Sequence, residues 1–469
     1  MCGPLEFDSV SLATSLLASR LLRYAVVVSA AAASPAAKLT LLPLIAATYF
    51  IVSGGPFGLE DIVAKSGYAG AIAILLITPV LWAFPTALMV SELASALPEE
   101  GGYYVWVTRG LGRFWGFQEV WLSLVGSVFD MAIYPTLFVG YLGHFFPSLT
   151  ANGRGFWIGL AVVALAALWN MAGIRTVGGS SVAMGALLLA PFLLLALYAF
   201  VHRGAPLAHP VPLRSVDILG GILVAMWNYM GWDNTSTVAS DVDRPQRTYP
   251  LAMGGALALI ALSYVLPIAA VAHTGLDANR WSTGGWASVA ETVMGSGAAG
   301  AAVALGITAG GLLAQLGTLN ALTLTLSRLP VVLAEDGYLP KVLTRRLRST
   351  DAPWVAILCC AATWAAAMQL SFSKLIMLDV LMTGLSILLE FAALVGLRLR
   401  EPNLARPFRV AGGTVGAVGL GVAPAILLVL TVVRNEAEPV GPINALELGA
   451  ILVGLGVVAY FVGDRIRKS

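Results

Sequence analysis

The chain has 469 residues, 58% of them hydrophobic and 11% charged, against about 25% charged in soluble domains. Its mean hydropathy of +0.85 marks a polytopic membrane protein, and a formal net charge of +2 offers no basic excess for a nucleic-acid partner. Cys2, Cys359 and Cys360, with four histidines lacking ligand spacing, supply neither a disulfide framework nor a metal centre, and no cofactor motif is visible.

Residues 1–37 read as a leader. Leu12 to Ala33 is apolar but carries Arg20 and Arg23. It lacks the compact apolar core of a signal peptide and is expected to be cytoplasmic and poorly ordered. Stretches of about 20 apolar residues, long enough to cross a bilayer, then predict twelve helices. In chain order these are Leu41–Ser66, Ala71–Leu97, Phe114–Phe146, Phe156–Ala172, Ser180–Val201 and Asp217–Ser240, then Pro250–Thr274, Ala298–Ala334, Pro353–Leu370, Lys374–Leu397, Gly412–Val433 and Ile443–Val462. The third and eighth are long enough to require tilt or extension beyond the bilayer.

The first span is interrupted by Ser53-Gly54-Gly55-Pro56-Phe57-Gly58-Leu59-Glu60-Asp61. Three glycines and a proline stop the helix. Backbone groups released at membrane depth survive only in buried protein or beside a watery cavity. The two carboxylates that follow are costly in lipid and point to a functional site. The sixth span is expected to break at Met226–Ser236, where Gly231 weakens the helix and Asp233 cannot face hydrocarbon. Trp227, Asn228, Tyr229 and Trp232 crowd polar and aromatic groups into the same stretch. A continuous helix with one inward-facing polar stripe is the alternative there.

With both termini in the cytoplasm, 20 of the 27 lysines and arginines lie on the inner side, as the positive-inside rule favours. Spans one and six are then equivalent in two inverted repeats, residues 38–203 and 215–400 approximately, with extra helices at about 411–463. Residues 38–465 thus form a single transporter domain. Paired, interrupted helices at matching positions mark a transporter's binding site. Half-helix N-termini there hold anions, and freed carbonyls hold cations.

Ser53–Asp61, Ser91-Glu92-Leu93, Leu97-Pro98-Glu99-Glu100-Gly101-Gly102-Tyr103 and Gly112–Glu119 together resemble the amino acid/polyamine/organocation superfamily. So do Asp130 with Tyr134-Pro135, Trp227-Asn228 with Trp232-Asp233, Pro245–Pro250, Glu335 with Gly337, and Glu390-Phe391. The likeness is strongest to the plant-type polyamine uptake branch and covers nearly the whole chain beyond the leader. It implies an all-α LeuT-like fold of five plus five helices with two extra, helices 1 and 6 interrupted, and uptake by alternating access driven by protons. The chain departs from the branch at Met230, Gly231 and Leu322, the last standing where relatives place an acid. Ser327-Arg328-Leu329-Pro330 looks more like bacterial amino acid permeases.

The candidate substrate site comprises Ser53, Gly54, Gly55, Gly58, Glu60, Asp130, Tyr134, Trp227, Asn228, Tyr229, Trp232 and Asp233. Glu60, Asp61, Asp130 and Glu390 are the candidates for carrying the coupling proton. Glu60 and Asp61 point about 100° apart on a helix, so only one faces a cavity squarely. Glu60 is preferred, with Asp61 near the outer mouth or capping the second half-helix. Asp130 and Tyr134 share a helix face and suit an ammonium group, or a structural bond to a broken helix. Asp379 is expected to be solvated near a span end. Glu92 to Tyr104, Trp115 to Glu119, Arg109, Arg113 and Glu335 are expected to make fold and gating contacts. The expected partners are protons, the bilayer and a small molecule, either a polyamine or an amino acid. The expected form is a monomer in the plasma membrane. A membrane enzyme lacks a nucleophile or cofactor motif, and a channel or receptor does not account for the paired breaks.

Overall fold

The computed structural model describes residues 40–98, 102–172, 181–202, 216–235, 242–295, 297–434, 439–440 and 442–468. The leader, with Arg20, Arg23 and Lys38, lies outside the described residues, as do Glu99, Glu100, Gly101 and Ser236. The helices are α1 (Leu41–Val52), α2 (Glu60–Thr78), α3 (Phe84–Ala96), α4 (Gly102–Leu111), α5 (Arg113–Phe145), α6 (Arg154–Met171), α7 (Ser181–Val201) and α8 (Ile218–Asn228). There follow α9 (Pro245–His273), α10 (Trp286–Met294), α11 (Ala298–Leu326), α12 (Leu329–Glu335), α13 (Trp354–Ala367), α14 (Phe372–Arg400), α15 (Gly413–Arg434) and α16 (Ala445–Lys468). Pro439–Val440 and Ile443–Asn444 pair as a minimal antiparallel hairpin before α16.

Among the described residues, eight helical stretches are long and apolar enough to cross a membrane, and three shorter apolar helices accompany them. Leu187, Leu194, Val201, Val415, Val429, Phe461 and others like them stand exposed around the outside, where lipid tails rather than water would cover them. Trp82, Trp106, Trp232, Trp286 and Trp364 are fully enclosed. At 12 residues, α1 is too short to span alone. It is completed by the first turns of α2, which bend at Gly67 (φ +65°) and run directly into the second span. The second span carries a π-helical turn, Pro79–Ala83, between Pro79 and Pro85, each of which lacks an amide donor.

The expected eighth span ends earlier than its apolar run. α11 stops at Leu326, and α12 begins after Arg328 with Pro330 in its first turn. The proline ring and its missing N–H break the ladder there. α8 begins at a side-chain cap, with Asp217 accepting the Gly220 N–H at 2.9 Å. It ends at Asn228, so the sixth span is interrupted where Gly231 predicts. Its continuation beyond Thr235 lies outside the described residues. α5 and α14 pack against each other along much of their length and form the spine beside both breaks.

Candidate functional site

The two interruptions press on each other, and glycine makes the approach possible. Gly58 holds φ +81°, and a Cβ on it would stand 2.9 Å from the Trp227 ring. Gly231, at φ +92°, faces the first break, where a Cβ would lie 3.2 Å from the Ile51 carbonyl oxygen. Tyr264 of α9 ties both breaks together. Its hydroxyl lies 2.7 Å from Ser53 Oγ and 2.9 Å from the Asn228 carbonyl oxygen. The glycine amides of the first break already have partners. Gly54 N–H donates to Tyr49 O at 3.3 Å, Gly55 N–H to Ser53 Oγ at 3.1 Å and Gly58 N–H to the Tyr141 hydroxyl at 3.3 Å.

Beside the breaks lies a cavity with about 80 Å³ of room for water-sized molecules. One wall is the seam between α5 and α14. Ser123 Oγ is 3.1 Å from Ser386 Oγ. Three residues on, a Cβ at Gly126 would fall 2.6 Å from Thr383 Oγ1 and 3.5 Å from Asp379 Oδ1. Moving forward along α5 thus means moving back along α14. This antiparallel register sets Asp130 against Asp379 and Glu119 against Glu390. Both aspartates line the cavity and interact electrostatically. Asp130 Oδ1 accepts Trp227 Nε1–H at 3.1 Å, and the Tyr134 hydroxyl lies 3.1 and 3.2 Å from its two oxygens. Asp379 Oδ1 accepts the Thr383 hydroxyl at 2.8 Å. Two carboxyls on one cavity wall, Asp379 buried and Asp130 partly exposed, with an indole nearby, form a place for a cation rather than an anion.

The structure divides the expected site residues. Ser53, Gly54, Asp130, Tyr134, Trp227, Asn228 and Asp233 line the cavity. Gly55, Gly58, Glu60, Asp61, Tyr229, Trp232 and Glu390 stand off its wall. Glu60 is enclosed and accepts the Tyr141 hydroxyl at 2.6 Å, and its other oxygen has no hydrogen-bond partner among the described residues. Phe57, which does line the cavity, packs edge-on against the same Tyr141 ring at 5.1 Å. Asp61 accepts the Thr283 hydroxyl at 2.8 Å. Tyr229 donates to Leu75 O at 3.0 Å and Trp232 to Tyr229 O at 2.8 Å, so both brace the second break from behind.

One expectation is corrected. Asp379 is not solvated: it is 3% exposed. α14 starts at Phe372, which places Asp379 about two turns inside the helix. Its spacing from Thr383, Ser386 and Glu390 forms a polar stripe at helical period, and that stripe was the available signal. Ser123, Ser127 and Gln315 also line the cavity without having stood out in sequence, and Thr318 and Leu322 lie on the wall as well. At one end the bundle is closed by α10, where Trp286 Nε1–H donates to Pro56 O at 2.6 Å. The opposite, arginine-rich end is held by Glu92. It pairs with Arg398 at 2.9 and 2.5 Å, lies 3.5 Å from Arg406 and accepts the Val410 N–H at 2.7 Å. Nearby, Arg109 grips Glu401 through two 2.7 Å bonds and holds that carboxyl below the usual carboxylate range.

The sequence profile of the amino acid permease family matches residues 45–455. The chain belongs to that family. It is a polytopic, all-α membrane transporter of LeuT-like fold, as the resemblance carried by Ser53–Asp61 and the other motifs implied. A probable polyamine transporter of Arabidopsis thaliana is 36% identical over 432 residues, 91% of this chain and 87% of that one. Polyamine transporter PUT1 of Oryza sativa subsp. japonica is 32% identical over 425 residues, covering 90% and 78%. The serine/threonine exchanger SteT of Bacillus subtilis (strain 168) is 26% identical over 397 residues, covering 81% and 86%. The permease therefore shares its architecture with transporters of both substrate classes.

Proposed function

We propose that this permease takes up linear polyamines or related organic cations across the plasma membrane by alternating access, coupled to an inward proton gradient. The observation that carries the reading is the facing pair Asp130 and Asp379 on the cavity wall, with Trp227 against Asp130. An ammonium group placed between them gains two charge-assisted bonds in a partly desolvated site. The engaged amides of Gly54, Gly55 and Gly58 support the same reading, because a substrate carboxylate would need them free. An amino acid is the alternative, supported by Ser53 and Gly54 on the wall and by the likeness to the exchanger.

In this reading Asp130 and Asp379 bind the amine. Asp130 remains a candidate for the coupling proton, and Glu60 and Asp61 act at the closed end. Both termini are cytoplasmic, twelve spans cross the membrane, and the arginine-rich end faces inward. The protein acts as a monomer. Competitive uptake into proteoliposomes tests the proposal with putrescine, spermidine, arginine and leucine, each with and without an inward proton gradient. Saturable leucine uptake that polyamines do not compete with would overturn it.

A further inference from the structure

The register that pairs Asp130 with Asp379 sets a second acidic level on the same seam. Glu119 is eleven residues from Asp130 on α5, and Glu390 is eleven residues from Asp379 on α14. Eleven residues are close to three helical turns, so each pair shares a face, and the two levels stand about 16 Å apart along the helices. Glu119 accepts hydrogen bonds from Ser123, at 3.3 Å, and from Ser386. Among the described residues, its Oε2 has no hydrogen-bond partner, nor does Asp233 Oδ1, nor does either oxygen of Glu390. Glu119 and Glu390 are 0% exposed, and Asp233 is 6% exposed. Among the described residues, the charged groups acting on Glu390 are Asp233 and Glu119, which add repulsion rather than compensation. A buried, unpartnered carboxylate requires a proton or a cation.

The cluster adjoins the cavity. Asp233, Ser123 and Tyr103 line the wall. Ser123 bonds Glu119 directly, and Tyr103 feels the field of all three acids. We propose that Glu119, Asp233 and Glu390 form a second ammonium site, which takes the far end of a linear polyamine whose near end lies between Asp130 and Asp379. The separation of the two levels is of the order of an extended tri- or tetra-amine, and the hydroxyls of Ser123, Ser127 and Thr383 lie along the seam between them. This inference rests on the amine reading of the cavity.

The test is binding of a series of α,ω-diamines of increasing length, together with spermidine and spermine, to the full chain in nanodiscs. In the wild type, affinity should rise once the chain reaches the second level. Glu390→Gln should weaken the long amines at least about tenfold and leave putrescine within threefold. Glu119→Gln gives the same readout should the first variant not fold. An equal loss for short and long amines, or no loss for either, would overturn the inference while leaving the amine reading intact. So would wild-type affinity that does not depend on length. A wild type that binds no amine of any length would overturn both.

Discussion

Asp130→Asn isolates the charge at the cavity wall. The side chain keeps its shape, and its amide oxygen still accepts the Trp227 N–H and the Tyr134 hydroxyl, now at 3.1 Å from Asp130 Oδ1. What is lost is one of two carboxylates facing a substrate ammonium. Removing one partner of a desolvated charge pair costs about 2–5 kcal/mol. At 1.4 kcal/mol per factor of ten, that is roughly 30- to 4,000-fold in affinity. Asp379 stays in the same site, so the effect should fall toward the lower end, roughly 30- to 100-fold. The assay is equilibrium binding of spermidine to purified protein in nanodiscs, with a melting curve on the same sample. The fold should be retained, because both hydrogen bonds survive and repulsion with Asp379 is relieved. A dissociation constant within threefold of wild type, in a protein that melts normally, would refute the role assigned to Asp130.

Gly58→Ala places a Cβ in left-handed backbone and 2.9 Å from the Trp227 ring. Strain and overpacking together should cost about 2–5 kcal/mol, measured as a lowered unfolding midpoint, with amine binding weakened through Trp227. Arg398→Ala leaves Glu92 buried and without its 2.9 and 2.5 Å bonds. Arg406 at 3.5 Å and the Val410 N–H still compensate Glu92, so a loss of about 1–3 kcal/mol is expected, and a melting curve matching wild type would contradict it. Glu401 titrates below its unfolded value because Arg109 donates to it. Its stabilisation is therefore present above the ordinary carboxylate range and lost as pH falls through the folded pKa. Glu401→Gln should melt lower than wild type at pH 7, by no more than about 1 kcal/mol for so exposed a pair, and the gap should close on acidification. A gap that widens at low pH would reverse the assigned sign.

Much of this architecture is written locally. Gly54, Gly55, Pro56 and Gly58 stop a helix wherever they occur, and Gly231 stops its counterpart. Asp130 and Trp227 are anomalous inside apolar runs, so they were visible as site candidates before any packing was known. The inward face of Asp379 was not visible in the same way, because its depth depends on where α14 starts. The seam between α5 and α14 was harder still. Ser123, Ser127 and Thr383 are ordinary residues in a membrane helix, and only the register of two helices distant in sequence turns them into one wall. α10 could not be read as a span, being 9 residues long, yet its Trp286 closes one end of the bundle. Glu60 illustrates the reverse failure. Its chemistry stood out, but the direction of its side chain is set by Tyr141, 81 positions away.

That direction separates two tasks that the sequence left joined. Glu60 is held away from the cavity by the same break whose other residues form the wall, with Phe57 and Tyr141 between it and the cavity. Its carboxyl does not line the cavity in this conformation. Moving α10 away from the first break would sever the bond from Trp286 Nε1 to Pro56 O, 2.6 Å long and buried. Trp286→Phe removes the donor while keeping an aromatic ring, at a cost to the closed form of about 1–3 kcal/mol. The open population should rise by roughly 5- to 150-fold. Ala287, fully buried on α10, reports it. Ala287→Cys, in a background lacking Cys2, Cys359 and Cys360, should react faster with a membrane-impermeant maleimide when Trp286→Phe is added. An unchanged labelling rate would mean that α10 does not govern access at that end.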